Sequence, residues 1–391
     1  MARPIVLKSI LFPVLACAFL FQLSLPLARI ATTYTVLDLN ISVVYISLIS
    51  ASFALLPAIF AIPLGRLYDR GYTRPAMITG ACLGPISVLT LLLGKSSVLA
   101  LIAGTMLMGV VQSVIVSALQ LLVVRSAGLH HRDRVIGLHM VALSIGSLAA
   151  PVLLSVIDHF SLPLASSLLG ISLCGTLALL LGILIAARAI RRTRQPDLPQ
   201  VPVRELLRVP RLLPLVILGS GYLTTLDFLF VFMPVLGVER NISPGTIGLM
   251  IGTQAAGSIM ARALFGTLSA RLGRERLLLA ATLVSAAAMI GIGMPAPLAV
   301  TWISLAVAGM SLSLAMTSSV SLVVYMAPPA ARGTALSLRF TANRLIQFTI
   351  PLASTLVIAS VGAAGIFMSL GLVLSASAGG LWRVLSRPRR D

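Results

Sequence analysis

Five charged side chains fall inside stretches otherwise apolar enough to cross a bilayer: Arg29, Asp227, Arg262, Arg339 and Arg344. An ionised group near the bilayer centre costs on the order of 2.5 to 3.5 kcal/mol on insertion scales, so such groups line water, pair, or do both. Their polar companions recur at helical spacing. Gln22, Arg29 and Thr33 are seven and four residues apart and share one helix face, as do Ser220, Thr224 and Asp227. Arg339, Asn343 and Gln347 form a stripe with Arg344 beside it, about nine residues into its span. Arg262 aside, three arginines against one aspartate leave positive charge uncompensated, and a guanidinium fork takes two oxygens of a carboxylate, phosphate or sulfate at once. The substrate-binding candidates are therefore Gln22, Arg29, Thr33, Thr224, Asp227, Arg339, Asn343, Arg344 and Gln347, and the solute class they point to is a small organic anion. The alternative is structural, with Asp227 neutralising one arginine and another reaching the interface. Arg262 lies near its helix end and reaches the surface. His139, 200 positions before Arg339, titrates near neutrality and could serve a proton as coupling ion.

Other chemistries lack their residues. Cys17, Cys82 and Cys174 lie in apolar stretches with no CxxC spacing, as small core residues do. Gly94-Lys95-Ser96 resembles the end of a phosphate-binding loop, but Leu89 stands where that loop needs glycine. With no metal cluster and no nucleophile beside a base, neither catalytic residues, a metal nor a cofactor is expected. A membrane-embedded enzyme or a receptor is the remote alternative to a transporter.

The elements that position these residues follow from composition. Of 391 residues 58% are hydrophobic and 10% charged, against about 45–50% and roughly 25% in soluble domains. Long charge-free stretches predict spans near 9–34, 43–64, 76–93, 98–124, 136–157, 163–187, 212–236, 246–266, 277–295, 298–326, 335–358 and 363–383, each about the 20 residues a bilayer needs. From Leu277 to Ala331 no charge occurs, yet Met294-Pro295-Ala296-Pro297 divides the stretch in two; a break near Gly362 divides the next. The first apolar run exceeds a signal peptide's core and is expected to stay as span 1.

The net charge of +19 sits mostly in alternate loops, which hold Arg3 and Lys8, Arg66 to Arg74, Arg125 to Arg134, Arg188 to Arg211, Arg271 to Arg276, Arg332 and Arg383 to Arg390. By the positive-inside rule these loops and both termini are cytoplasmic in a plasma (inner) membrane protein. The basicity then reports topology and contact with membrane lipids, and nucleic acid is not an expected partner. Residues 188–211, rich in Arg and Pro, form a cytoplasmic basic linker between an N-terminal six-helix bundle (1–187) and a C-terminal six-helix bundle with a short cytoplasmic tail (212–391). The expected form is a monomer.

Shifting the sequence by 201 aligns Pro13 with Pro214, Asn40-Ile41-Ser42 with Asn241-Ile242-Ser243, Gly65 with Gly266 and Arg70 with Arg271. A shift of 200 aligns Gly109 with Gly309, Leu122-Val123-Val124 with Leu322-Val323-Val324, and Pro151 with Pro351. The halves are duplicates with an even number of spans each, hence parallel, an arrangement of secondary transporters that bind solute between repeats. The Asn-Ile-Ser copies precede spans 2 and 8, where Ser or Asn caps a helix and Pro244 suits its first turn.

Gly65-Arg66-Leu67-Tyr68-Asp69-Arg70-Gly71-Tyr72-Thr73-Arg74, between spans 2 and 3, resembles the signature loop of the major facilitator superfamily. Gly266-Thr267-Leu268-Ser269-Ala270-Arg271 repeats it between spans 8 and 9, with Ala270 in place of the acid. The resemblance implies an all-α integral membrane fold of twelve transmembrane helices in two parallel six-helix repeats, working by alternating access. It also assigns Gly65, Asp69 and Arg70, with Gly266 and Arg271, to a gating latch. Gly137, Gly146 and Pro151 in span 5 partly resemble the exporter motif of that superfamily, so efflux of drugs or amphiphiles is the alternative to organic-anion transport.

Overall fold

The computed structural model describes residues 4–39, 41–69, 72–126, 132–188, 209, 211–327 and 332–386. Among them every regular element is helical: α1 (Pro4–Asp38), α2 (Val44–Asp69), α3 (Thr73–Leu93), α4 (Val98–Ser126), α5 (Arg132–His159), α6 (Leu164–Arg188), α7 (Leu212–Glu239), α8 (Pro244–Leu272), α9 (Arg274–Gly293), α10 (Leu298–Met326) and α11 (Arg332–Ser386). In hydrocarbon a backbone meets its hydrogen bonds only within a helix or a closed barrel, which is why charge-free runs fold this way. α11 is two arms meeting at Gly362, whose φ of 68° lies in the left-handed region that favours glycine. With that division the described residues form twelve helices of an integral membrane protein.

The predicted breaks stand where side-chain chemistry puts them. α9 ends at Gly293 and α10 begins at Leu298, with Met294 to Pro297 between. Pro244 opens α8, and Ser243 Oγ accepts the Thr246 N–H at 3.3 Å, so the second Asn-Ile-Ser copy is a cap. Asn241 before it has φ 54°, a conformation Asn tolerates better than most residues.

The chain separates into two compact units, one of residues 1–197 with 243–248, the other of 198–242 with 249–391. In the first, α1 packs on α4, α5 and α6, α3 packs on α4 and α6, and α2 on α4; in the second, α7 packs on α10 and α11, and α9 packs on α10 and α11. The repeat-related helices thus choose repeat-related neighbours. The closest crossings repeat as well: a Cβ at Gly109 would strike the Phe53 carbonyl of α2, and one at Gly309 the Gln254 carbonyl of α8. Small residues at such crossings let helix backbones meet in a membrane, where dispersion supplies the attraction.

Three charged side chains at span ends, Asp158, Glu239 and Arg240, tie helix ends. In the first unit, Asp158 Oδ2 accepts the Gly245 N–H at 2.8 Å. In the second, Glu239 Oε1 accepts the Ala363 N–H at 2.8 Å, beside Gly362. Arg240 donates to the Gly293 and Met294 carbonyls at 2.9 and 2.8 Å and to Thr301 at 3.2 Å. Burial holds the Arg240 guanidinium below its ordinary value, and the Glu239 carboxylate opposes that shift.

Candidate functional site

The second unit gathers six of the nine candidate residues onto α7 and the first arm of α11. Gln347 Nε2 donates to Asp227 Oδ2 at 2.7 Å, and Gln347 Oε1 accepts from Arg344 Nη1 at 2.9 Å. One amide therefore links the acid of α7 to an arginine of α11. Thr224 is buried on the same α7 face and gives its hydroxyl to the Ser220 carbonyl. One turn before Arg344 the situation differs. Arg339 is 8% exposed, and its Nε and Nη2 are shielded from solvent and make no hydrogen bond among the described residues; Asn343, 9% exposed, has Oδ1 in the same condition. Residues four apart on a helix share a face, so Arg339 with two unmet donors and Asn343 with one unmet acceptor stand on neighbouring turns of α11.

Two residues that carry no sequence signal set this geometry. An added Cβ at Gly219 of α7 would lie 3.4 Å from Arg339 Nε and collide with Ser319 Oγ of α10. The bare glycine lets the arginine lie against α7. Ser319 Oγ, in turn, donates to the Leu215 carbonyl at 2.6 Å, fixing α10 on α7. Glycine and serine in a membrane helix read as packing residues, so nothing in their types singles them out.

The first unit holds Gln22, Arg29 and Thr33 on α1. The Arg29 guanidinium lies 4.7 Å over the Phe53 ring of α2, a cation–π contact, and Thr33 Oγ1 donates to the Arg29 carbonyl at 3.3 Å. Gln22 is half-buried where Gly146 of α5 presses on α1; a Cβ at Gly146 would lie 2.5 Å from the Phe19 carbonyl oxygen. His139, the repeat counterpart of Arg339, is 2% exposed with no hydrogen bond at Nδ1.

Of the latch candidates, Arg70, the side chain of Asp69 and the surroundings of Gly65 lie outside what the structure describes. Gly266 and Arg271 are exposed, and Gly266 has open space around it rather than a facing helix. The second loop is instead organised one step later, where Glu275 lies 3.9 Å from Arg211 and Arg274 lies 5.5 Å from the centre of the Tyr325 ring. Leu272 to Arg276, Leu322 and Tyr325 line a cavity of about 540 Å³ there. Among the described residues no group of three His, Cys, Asp or Glu is placed to hold a metal.

The family model for the Major Facilitator Superfamily matches the chain twice, over residues 14–240 and 215–391. No curated protein sequence matches. Among solved structures, the nucleoside transporter NupG superposes with a TM-score of 0.73 at 12% identity, covering 97% of this chain and 100% of that one. A POT family transporter in complex with 5-aminolevulinic acid superposes with a TM-score of 0.77 at 15% identity, covering 95% of each chain. At those identities the likeness is one of fold.

Proposed function

The chain belongs to the major facilitator superfamily, a family of transporters rather than enzymes, and we propose that it carries a small organic anion across the membrane by alternating access. One observation carries the anion assignment: Arg339 is a buried guanidinium with two donors unused, while Asp227 of α7 accepts from Gln347. An arginine kept out of water without hydrogen bonds is costly to the fold, and an oxyanion meets that cost through two parallel bonds. The fold accommodates a small carboxylate in the POT family neighbour, whose complex holds 5-aminolevulinic acid. In this reading Asp227, Gln347 and Arg344 form the responsive part of the site. A proton is the coupling ion, with Asp227 and His139 as the groups able to carry it. Both termini and the 188–211 linker face the cytoplasm of the plasma membrane, and the arginine-rich loops meet anionic lipid.

A solute screen in proteoliposomes, with and without an imposed pH gradient, tests the reading. Expected are accumulation of carboxylates, competition among them, and a rate that changes when the gradient is dissipated. Uptake or competition confined to hydrophobic cations would replace the anion reading with amphiphile efflux.

A further inference from the structure

The unmet groups at Arg339 and Asn343 specify more than negative charge. Nε and Nη2 lie on one edge of the guanidinium, the pair that grips both oxygens of a single carboxylate side-on. Oδ1 of Asn343, one helical turn away, is an acceptor, and only a donor completes it. The neighbouring Arg344 differs in that its Nη1 donates to Gln347. We propose that Arg339 and Asn343 form a subsite for a 2-hydroxycarboxylate, a class that deepens the organic-anion reading and rests on it. The carboxylate accepts from Nε–H and Nη2–H of Arg339, and the adjacent hydroxyl donates to Asn343 Oδ1.

Other ligands with part of this pattern fit less well. A plain carboxylate leaves Oδ1 unmet in a site from which water is excluded, the situation in which a pocket built around a hydroxyl rejects its absence strongly. A 2-amino acid fills Oδ1 but sets a second positive charge beside the guanidinium. A phosphate monoester near neutral pH is largely dianionic, with its second pKa about 6, and has lost the O–H that would donate.

Binding to the purified full-length protein decides the matter. The probes are lactate, 2-hydroxyisocaproate and mandelate, each beside its hydroxyl-free counterpart (propionate, isocaproate, phenylacetate), with inorganic phosphate as a separate arm, read by ligand-dependent thermal stabilisation. At least one hydroxy acid should bind about tenfold or more tightly than its counterpart, the discrimination of a buried donor–acceptor pair. Asn343→Leu should erase that ratio while carboxylate binding persists; Arg339→Lys should weaken both members about tenfold, because an ammonium lacks the fork. A ratio near one in the wild-type protein overturns the subsite, and this needs no variant to fold. So does preferential binding of phosphate, survival of the ratio in Asn343→Leu, or failure of all six acids to bind. The proteoliposome screen separates the two levels: carboxylate uptake without hydroxyl discrimination removes the subsite and leaves the organic-anion reading, whereas no carboxylate uptake removes both.

Discussion

Gln347 uses both ends of its amide at once, donating to Asp227 and accepting from Arg344. Gln347→Leu leaves those two groups without the amide between them. In membrane helices such hydrogen bonds contribute roughly 0.6 to 2 kcal/mol each, so the variant should melt a few degrees lower. If the chain is the responsive part of the site, transport should fall much further than stability, with a shifted pH dependence. A transport rate that tracks only the amount of folded protein would make the chain a structural tie. The stripe itself was legible in the sequence, because Arg339, Asn343 and Gln347 recur every fourth residue. Which arginine is engaged was not legible. That depends on rotamers: Arg344 reaches Gln347 three residues on, whereas Arg339 lies beside Gly219, a residue with no side chain to announce it.

Helix crossings fix where those side chains are held, and the tightest recur in both repeats. Gly109 meets the Phe53 carbonyl and Gly309 the Gln254 carbonyl, so any larger residue must push a backbone away. Gly109→Val and Gly309→Val should each cost about 1–3 kcal/mol through overpacking, read as a lower melting temperature and lower folded yield. Gly137→Ala is the internal control. Nothing lies within 4 Å of the Cβ it adds, so the helix should be unchanged or slightly more stable. Equal losses at all three glycines would mean that helix propensity rather than contact sets their cost. Most elements were legible from charge-free stretches, while the breaks at Met294 to Pro297 and at Gly362, which hydropathy alone would merge, were legible from proline and glycine. Among the described residues α2 and α8 fall outside the long apolar spans: α2 contributes the shorter apolar stretch Val44–Phe60, and Gly, Ala, Thr, Gln and Arg262 dilute α8. Both were placed instead as charge-poor stretches, near 43–64 and 246–266. The tie between Glu239 and Ala363 was not foreseeable, since it joins residues far apart in the chain.

At the scale of the whole molecule, the arginines and the repeat answer different questions. The repeat makes the two six-helix sets parallel, whichever way the protein is inserted; the clustering of arginine in alternate loops then selects the cytoplasmic side. Two exposed positions test both inferences. Lys95 lies in the turn between α3 and α4, and Arg276 in the first turn of α9, an odd number of crossings apart in a twelve-helix chain. With the exposed Cys82 and Cys174 replaced by serine and the buried Cys17 retained, an impermeant maleimide should label Lys95→Cys in intact cells and leave Arg276→Cys untouched. Inside-out vesicles should give the opposite result. A complete reversal would show that the arginine distribution does not set the orientation of this chain, while the helix count stood. Labelling of both positions from one side would be the more serious outcome, because it would put an even number of crossings between residues 95 and 276. The parallel relation of the two repeats, and with it the pairing of Gly109 with Gly309, would then need another explanation.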